Sequence, residues 1–411
     1  MVNFLEFNNV LYCCQFGFRK KHSTCFAISY LVNNVIQSFN ERKFTVGVFL
    51  DLSKAFDTVD HCILLKKLEH YGIRGLALEW FKSYLKDRKQ YVYANNYCSS
   101  QENITCGIPQ GSILGPLLFL IYMNDLPNVS NKLYSVLFAD DSNLFMSGEN
   151  IDQTLNIMNC ELDKITTWLN TNKLSLNVGK SNVMIFSQSR LSPKVNVKIN
   201  NISIKRVYET KFLGVIIDSK LSWNHHILHV KRKISKSIGI LCRARKSLNT
   251  KSLVTLYYSF VYPYYTYCLE IWGKTFSTYM ESLFRTQKRV LRLITFSKRD
   301  QHTQPLFAQL NILPLSKLYS MRMLMFLHKL EHDKIPLIIK RFFVRNRDVH
   351  SYSTRNSHLF VIPKMNVELC RRSIVYNAII IYNKTAHMFN FSYNVIRFKS
   401  NVRRYLSRND I

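Results

Sequence analysis

The chain has 411 residues, 47% hydrophobic and 20% charged, a globular composition that excludes a disordered chain and leaves room for more than one core. Its 57 Lys and Arg against 26 Asp and Glu give a formal net charge of +31. That excess points first to nucleic acid and second to an anionic membrane surface; a merely basic soluble protein is the plainer alternative.

From Val46 to Asp218 the pattern mixes strands and helices, and the elements follow in order. FTVGVFLD (44–51) is an apolar, β-branched run ending in an acid, the mark of a buried strand. DHCILLKKLEHYG (60–72) opens on a capping Asp60, repeats apolar residues at helical spacing and stops at Gly72, which predicts a helix. LALEWFKSYLKDR (76–88) predicts a second amphipathic helix, and GIPQGSILGPLLFLIYMNDL (107–126) a Gly/Pro turn feeding an apolar helix beneath a sheet. LYSVLFADDSNLFMSG (133–148) predicts strand, tight turn, strand, with Asp140 and Asp141 at the turn. IDQTLNIMNCELDKITTWLNTNKL (151–174) is an amphipathic helix, VNVKINNISIKRV (195–207) a hairpin about Asn200-Asn201, and KFLGVIID (211–218) one short strand. Helices packed on one face of an antiparallel sheet make an α+β domain.

Further on, roughly from His225 to Phe296, the pattern is helical and very basic. KRKISKSIGILCRARKSLNTKSL, starting at Lys231, repeats Lys and Arg among apolar residues at near-helical spacing. His225, His226 and His229 precede it. With no acid or cysteine beside them, they are structural or RNA-contacting histidines before they are metal ligands. The aromatic run at 256–268 packs a core sooner than it stacks bases. The last hundred residues are basic and helical without a chemical motif. The ten cysteines form no CxxC pair and read as reduced thiols of an intracellular protein. The amino terminus lacks the pattern of a signal peptide, and the longest apolar run, 113–123, is too short to span a bilayer, so no membrane partner is expected.

Chemistry concentrates in three acids. Asp51 ends one strand, and Asp140 and Asp141 sit at a hairpin turn. Antiparallel neighbours would bring these carboxylates to one sheet edge, where they stay ionised only beside cations. Hard divalent ions with oxygen ligands, Mg²⁺ foremost, suit that role; two of them about 3.5–4 Å apart serve phosphoryl transfer.

FADD (138–141), with FLDLSKAFDTVDH (49–61), GIPQGSILGPLLF (107–119) and QFGFRKKHST (15–24), resembles the reverse transcriptases of non-LTR, LINE-type retrotransposons, of the jockey-like kind. The blocks stand in that family's order and spacing, and the likeness runs over nearly the whole chain. It implies a right-hand polymerase: a palm of antiparallel sheet with packed helices, partial fingers, a helical thumb and a basic C-terminal region. The implied boundaries are 1–218 for the reverse transcriptase domain (fingers 1–45, palm 46–218), 219–300 for the thumb and 301–411 for the basic region.

The resemblance also implies roles. Asp51, Asp140 and Asp141 would be catalytic and would hold two Mg²⁺, or Mn²⁺ in their place, with the carbonyl of Leu52 as a further ligand. Phe56 matches the aromatic gate that rejects a 2′-hydroxyl; the alternative is an ordinary core phenylalanine. Gln110 and Gly111 match the loop touching nucleotide and template. Lys180 matches a lysine near the pyrophosphate that could act as general acid, with a solvated lysine as the alternative. Arg19 could meet phosphates. Phe212, Leu213 and Gly214 match the primer grip, and the basic helix a thumb on the duplex backbone.

The implied activity is RNA-directed DNA synthesis on an RNA template, extending a DNA primer or target 3′-hydroxyl with dNTPs, within a ribonucleoprotein of nucleus and cytoplasm. The expected upstream endonuclease and early fingers block are missing, and no Cys-His knuckle follows the thumb, which reads as a truncated element or a fragment of a longer gene. The alternative is an inactive remnant that binds nucleic acid; an intron-maturase-like helper is more remote.

Overall fold

A computed structural model describes residues 1–188, 196–349 and 356–408. The chain forms two compact units, one of Met1–Ser23 with Lys43–Val207, the other of Thr24–Arg42 with Tyr208–Ile411.

The first unit is built on a five-stranded sheet: β1 (Phe44–Leu50), β2 (Tyr134–Phe138), β3 (Asp141–Gly148), β4 (Asn182–Phe186) and β5 (Lys205–Arg206), in the order β5-β4-β1-β3-β2. Neighbours run antiparallel, except that β5 lies parallel to β4. β1 is central and buried beyond its first residue, which is why its sequence is continuously apolar rather than alternating.

The principal helices of this unit, beside the short Val2–Phe7, are α1 (His61–His70), α2 (Leu76–Leu85), α3 (Gly115–Tyr122) and α4 (Ile151–Thr171). The Asp60 carboxylate caps α1 by accepting the Ile63 N–H at 3.0 Å, and Gly72, at φ 92°, takes the chain away from its end. α3 is buried along nearly all its length, as a helix apolar on every side must be. α4 lays Leu155, Met158, Leu162, Ile165 and Leu169 into the core and contacts β1 and β3. The architecture is α+β, with the helices and strands at the positions their patterns predict. The hairpin about Asn200-Asn201 forms as Lys198–Ile199 against Ile202–Ser203, both turn residues having positive φ; the first residue of its sequence stretch, Val195, lies outside the described residues.

The second unit is helical apart from a hairpin, β6 (Glu209–Phe212) and β7 (Val215–Asp218). This corrects the expectation of one strand over 211–218. Leu213 (φ 45°) and Gly214 (φ 82°) both enter the left-handed region, so the chain reverses where an unbroken apolar run suggested continuity.

Its principal helices are α5 (Asn224–Ala244), α6 (Thr250–Phe260), α7 (Ser277–Ile294), α8 (Leu315–Glu331), α9 (Ile374–Thr385) and α10 (Val395–Arg408), beside the mostly buried Thr24–Asn40. The basic helix begins at Asn224, ahead of Lys231, and ends before Asn249, whose side chain accepts the Ser252 N–H and starts α6 anew. Tyr257 and Tyr265 of the aromatic run are buried and pack a core, whereas Tyr258, Phe260, Tyr264 and Tyr267 are exposed. No described helix is long and apolar enough to cross a membrane, and all ten cysteines are free thiols.

Candidate active site

Strand register determines where the acids meet. β1 pairs with β3 so that Leu50 faces Ser142. The pairing ends there, and Asp51 follows directly, near enough to Asp141 for its charge to act on that carboxyl. β2 and β3 close in the pair Phe138 and Asp141, leaving Ala139-Asp140 as a two-residue turn. Ala139 holds φ at 55°, a conformation disfavoured for a residue with a Cβ. The three carboxylates thus share one end of the central strands.

Their electrostatics follow. The Asp141 carboxyl is pushed up to about 6, first by the protein atoms crowding it, then by the charges of Asp140 and Asp51. It still touches water at the turn; the crowding acts over the wider shell through which a charge feels its dielectric surroundings. Lys180 brings its ammonium to 3.9 Å of the Asp51 carboxylate, both groups reaching solvent. Among the described residues no three His, Cys, Asp or Glu side chains stand gathered around a metal position. Ionised carboxylates repel and spread when no cation draws them together.

The loops at this edge are tied down by backbone. The Asp51 N–H donates to Ser181 Oγ at 3.2 Å, and the Asp51 carbonyl accepts the Asn177 N–H at 2.8 Å, so β1 and the turn carrying Lys180 are held to each other. Leu52 buries its side chain and begins a short pairing, Leu52–Ser53 with Ser175–Leu176.

Phe56 is half-buried. Its ring stacks on Phe119 of α3 at 4.4 Å and meets Phe18 edge-on at 6.5 Å. The 107–111 loop docks beside it: Gly107 and Ile108 donate their N–H groups to the Val59 and Phe56 carbonyls, and Gln110 donates to the Asp57 carboxylate at 2.7 Å. At Gly107 a Cβ would meet the Asp57 carbonyl oxygen at 2.8 Å, so only glycine fits. Gly111 differs. Its φ is 79°, but no atom would meet a Cβ there; conformation, not crowding by protein, calls for glycine.

Arg19 is turned inward. It forks onto the Glu6 carboxylate with two contacts of 3.0 Å and donates to the Tyr12 carbonyl, so the guanidinium expected to meet phosphates is occupied by its own unit. Glu6 is held below the usual carboxylate range, chiefly by that hydrogen bond.

Two features escaped sequence reasoning. A Cβ on Gly17 would meet the Ala139 nitrogen at 2.6 Å, because the Phe16 N–H donates to the Leu137 carbonyl and draws residues 14–17 alongside β2. QFGFR therefore buttresses the FADD turn, and its glycine was the available signal. The second is a hairpin over residues 89–103, every residue exposed, that presents Tyr91, Tyr93 and Tyr97 to solvent. Its Asn95-Asn96 turn, both residues at positive φ, was readable beforehand.

In the second unit, Phe212 is buried, and the Leu213 carbonyl accepts the Tyr267 hydroxyl at 2.7 Å. The three histidines are not the acid-free cluster the sequence suggested: Glu209, on β6, contacts His225. His226 is buried, accepts the Ile216 N–H at 3.2 Å and lies edge-on to Trp272; burial drives it down to about 4, so it is neutral.

Comparison with known proteins gives the family. The model of the family "Reverse transcriptase (RNA-dependent DNA polymerase)" matches residues 2–217. The probable RNA-directed DNA polymerase from transposon X-element of Drosophila melanogaster is 27% identical over 305 residues, 72% of this chain and 33% of that protein. The RNA-directed DNA polymerase from mobile element jockey of Drosophila funebris is 28% identical over 309 residues, again 72% and 33%. The chain thus spans about a third of the length of these relatives. Among solved structures, a telomerase from Candida albicans in complex with a telomeric RNA fragment covers 76% of this chain and 57% of its own at TM-score 0.41 and 14% identity. The apo telomerase of Candida tropicalis covers 78% and 53% at 0.43 and 11%. Superpositions that loose add no weight, and the assignment stands on the sheet, its acidic edge and the family match. The chain belongs to the reverse transcriptase family, and these relatives are RNA-directed DNA polymerases of transposons and mobile elements.

Proposed function

We propose that this chain is an RNA-directed DNA polymerase that extends a primer 3′-hydroxyl with dNTPs on an RNA template. The observation that carries the reading is the strand end: Asp51 next after the Leu50–Ser142 pair, Asp140 at the turn, and an Asp141 carboxyl raised to about 6 by the protein atoms crowding it and by its two acidic neighbours. Three mutually repelling carboxylates on an open edge are an oxygen-only donor set short of positive charge, which fits hard divalent cations. Asp51, Asp140 and Asp141, with the Leu52 carbonyl, would hold them. Bound there, Mg²⁺ or Mn²⁺ would supply Lewis-acid activation of the 3′-hydroxyl and charge neutralisation at the leaving pyrophosphate.

The chain's own groups do the rest. Lys180, beside Asp51, is a mobile cation able to meet a triphosphate and give a proton to the departing pyrophosphate. Phe56, braced by Phe119, offers a ring beneath the sugar that a 2′-hydroxyl would strike. Gln110 is oriented by Asp57, and the open space at Gly111 lets a nucleotide approach the backbone. Phe212, Leu213 and Gly214 would support the primer end, and the Lys/Arg face of α5 a duplex backbone through phosphate contacts.

The test is primer extension on a homopolymer RNA template with purified protein and Mg²⁺ or Mn²⁺. Wild type should incorporate dNTPs, and Asp140→Ala should fall by at least about 100-fold, since even residues behind a metal ligand cost about 10–100-fold. RNA affinity should hardly change. Equal synthesis by folded wild type and Asp140→Ala would refute the assignment.

A further inference from the structure

We propose that α10 and the loop before it form a binding cleft for single-stranded nucleic acid, separate from the polymerase site and independent of polymerisation. The region has no chemical motif in the sequence, yet its charge is one-sided. From residue 389 to residue 408 there is no Asp or Glu, while Arg397, Lys399, Arg403, Arg404 and Arg408 all lie there. A polyanion is the complementary partner.

Shape narrows the class. A cleft of about 430 Å³ opens beside α10, lined among others by Phe389, Asn390, Tyr393, Tyr405, Arg404 and Arg408. That is the size of a small-ligand site, enough for an unstacked base with its sugar. Arg404 and Arg408 are one helical turn apart, on the same face, and exposed, so two cations stand at one wall. The other walls are rings: Phe389 meets Tyr405 edge-on at 5.3 Å, and Arg397 covers Tyr393 at 4.0 Å. Cations that track phosphates, interleaved with aromatic surfaces that take bases, are the chemistry of single-strand binding. A duplex keeps its bases stacked away from such a cleft.

The competing partner is an anionic membrane, since a basic amphipathic helix is also the signature of an interfacial anchor. Here the apolar stripe is already spent. Phe398, Val402 and Leu406 are buried in the protein, and the exposed apolar residues of the helix are only Val395 and Ile396, adjacent in its first turn, which do not make the continuous apolar face an interfacial anchor needs. Arg403 is likewise committed, donating to the Asn311 carbonyl, and is not counted among the contacts.

The experiment uses the full chain. Affinity for a labelled single-stranded RNA 12-mer and for the same sequence as duplex is measured across salt for wild type, Arg404→Ala/Arg408→Ala, Arg404→Lys/Arg408→Lys, and a charge-matched control, Lys334→Ala/Lys364→Ala, outside α10 and the cleft. The cleft variant should lose at least about tenfold in single-strand affinity. Its log–log salt slope should shrink by about 1.4, from about 0.7 per phosphate contact. Duplex affinity, the control variant and extension of a short primer–template should stay close to wild type, so failure here is distinguishable from failure of the polymerase reading. The lysine pair should restore the slope.

Equal losses in cleft and control variants would mean diffuse charge and overturn the proposal. So would equal losses for single strand and duplex, or a loss confined to phosphatidylserine vesicles. Should the alanine pair fail to fold, 4-thiouridine RNA photocrosslinked to wild type decides: adducts within 388–408 support the cleft, and their absence there overturns it.

Discussion

The acidic edge depends on residues that touch no substrate. Gly17 lies against the backbone of Ala139, in the turn that carries Asp140. Gly17→Ala should force that turn to move, at a cost of about 1–3 kcal/mol typical of overpacking. We expect a lower melting temperature and slower primer extension together; unchanged kinetics would show that the turn tolerates the shift. Asp141 makes a pH prediction. Its carboxyl is raised from the ordinary 3.8 to about 6, so the folded metal-free state holds its proton more tightly than the unfolded chain. The associated stability is complete below pH 3.8 and is lost as pH rises through about 6. A cation competes for the same carboxylate, so Mg²⁺ affinity should rise with pH across that interval and binding near pH 6 should release protons. Calorimetry in buffers of different ionisation enthalpy reads the release; none at pH 6 would contradict the site. At this scale the gathering of Asp51, Asp140 and Asp141 was legible because two adjacent acids in an apolar hairpin are costly unless used. The engagement of Arg19 by Glu6 was not, because a basic residue looks the same in sequence whether it faces solvent or folds back on a carboxylate.

Helix starts and hairpin turns were legible where local chemistry dictates them. Asp60 before an apolar-periodic run forecast α1, and the same carboxylate also meets Lys173 at 2.6 Å. The Lys173 hydrogen bond is the main reason its pKa is lowered. This part of the stability is present above pH 3.8 and is lost as pH falls through the depressed value. Asp60→Ala should cost about 1 kcal/mol, the usual worth of an N-cap, at pH 7 and less at pH 3; an equal loss at both would rule out the charged cap. The β6–β7 hairpin was missed because Leu213 is not a turn residue by type, and only Gly214 hinted at reversal. Gly214→Ala meets both a φ of 82° and the Tyr267 ring at 3.2 Å. It should destabilise the second unit by about 1–3 kcal/mol in denaturant melts, the range for strained backbone positions.

The whole molecule carries a charge of +31 that no single element explains. If RNA is held through six to ten phosphates, affinity should drop by about 10³–10⁵ between 50 and 200 mM salt. A shallow dependence would mean that most of the basic surface never meets nucleic acid. By itself the sequence determined most of the strands and helices of the first unit and the reverse transcriptase family, and it singled out Asp51, Asp140 and Asp141 as candidates. The elements are readable because apolar periodicity, capping and turn chemistry act between near neighbours. Tertiary structure alone decided that Asp51 comes near Asp141, that Gly17 lies against the Ala139 turn, and that the apolar stripe of α10 is buried while Arg404 and Arg408 stay outside. Each joins residues far apart in the chain or turns on which face the core has taken. Strand register and packing decide such matters, and they minimise the free energy of the whole fold rather than that of any local stretch.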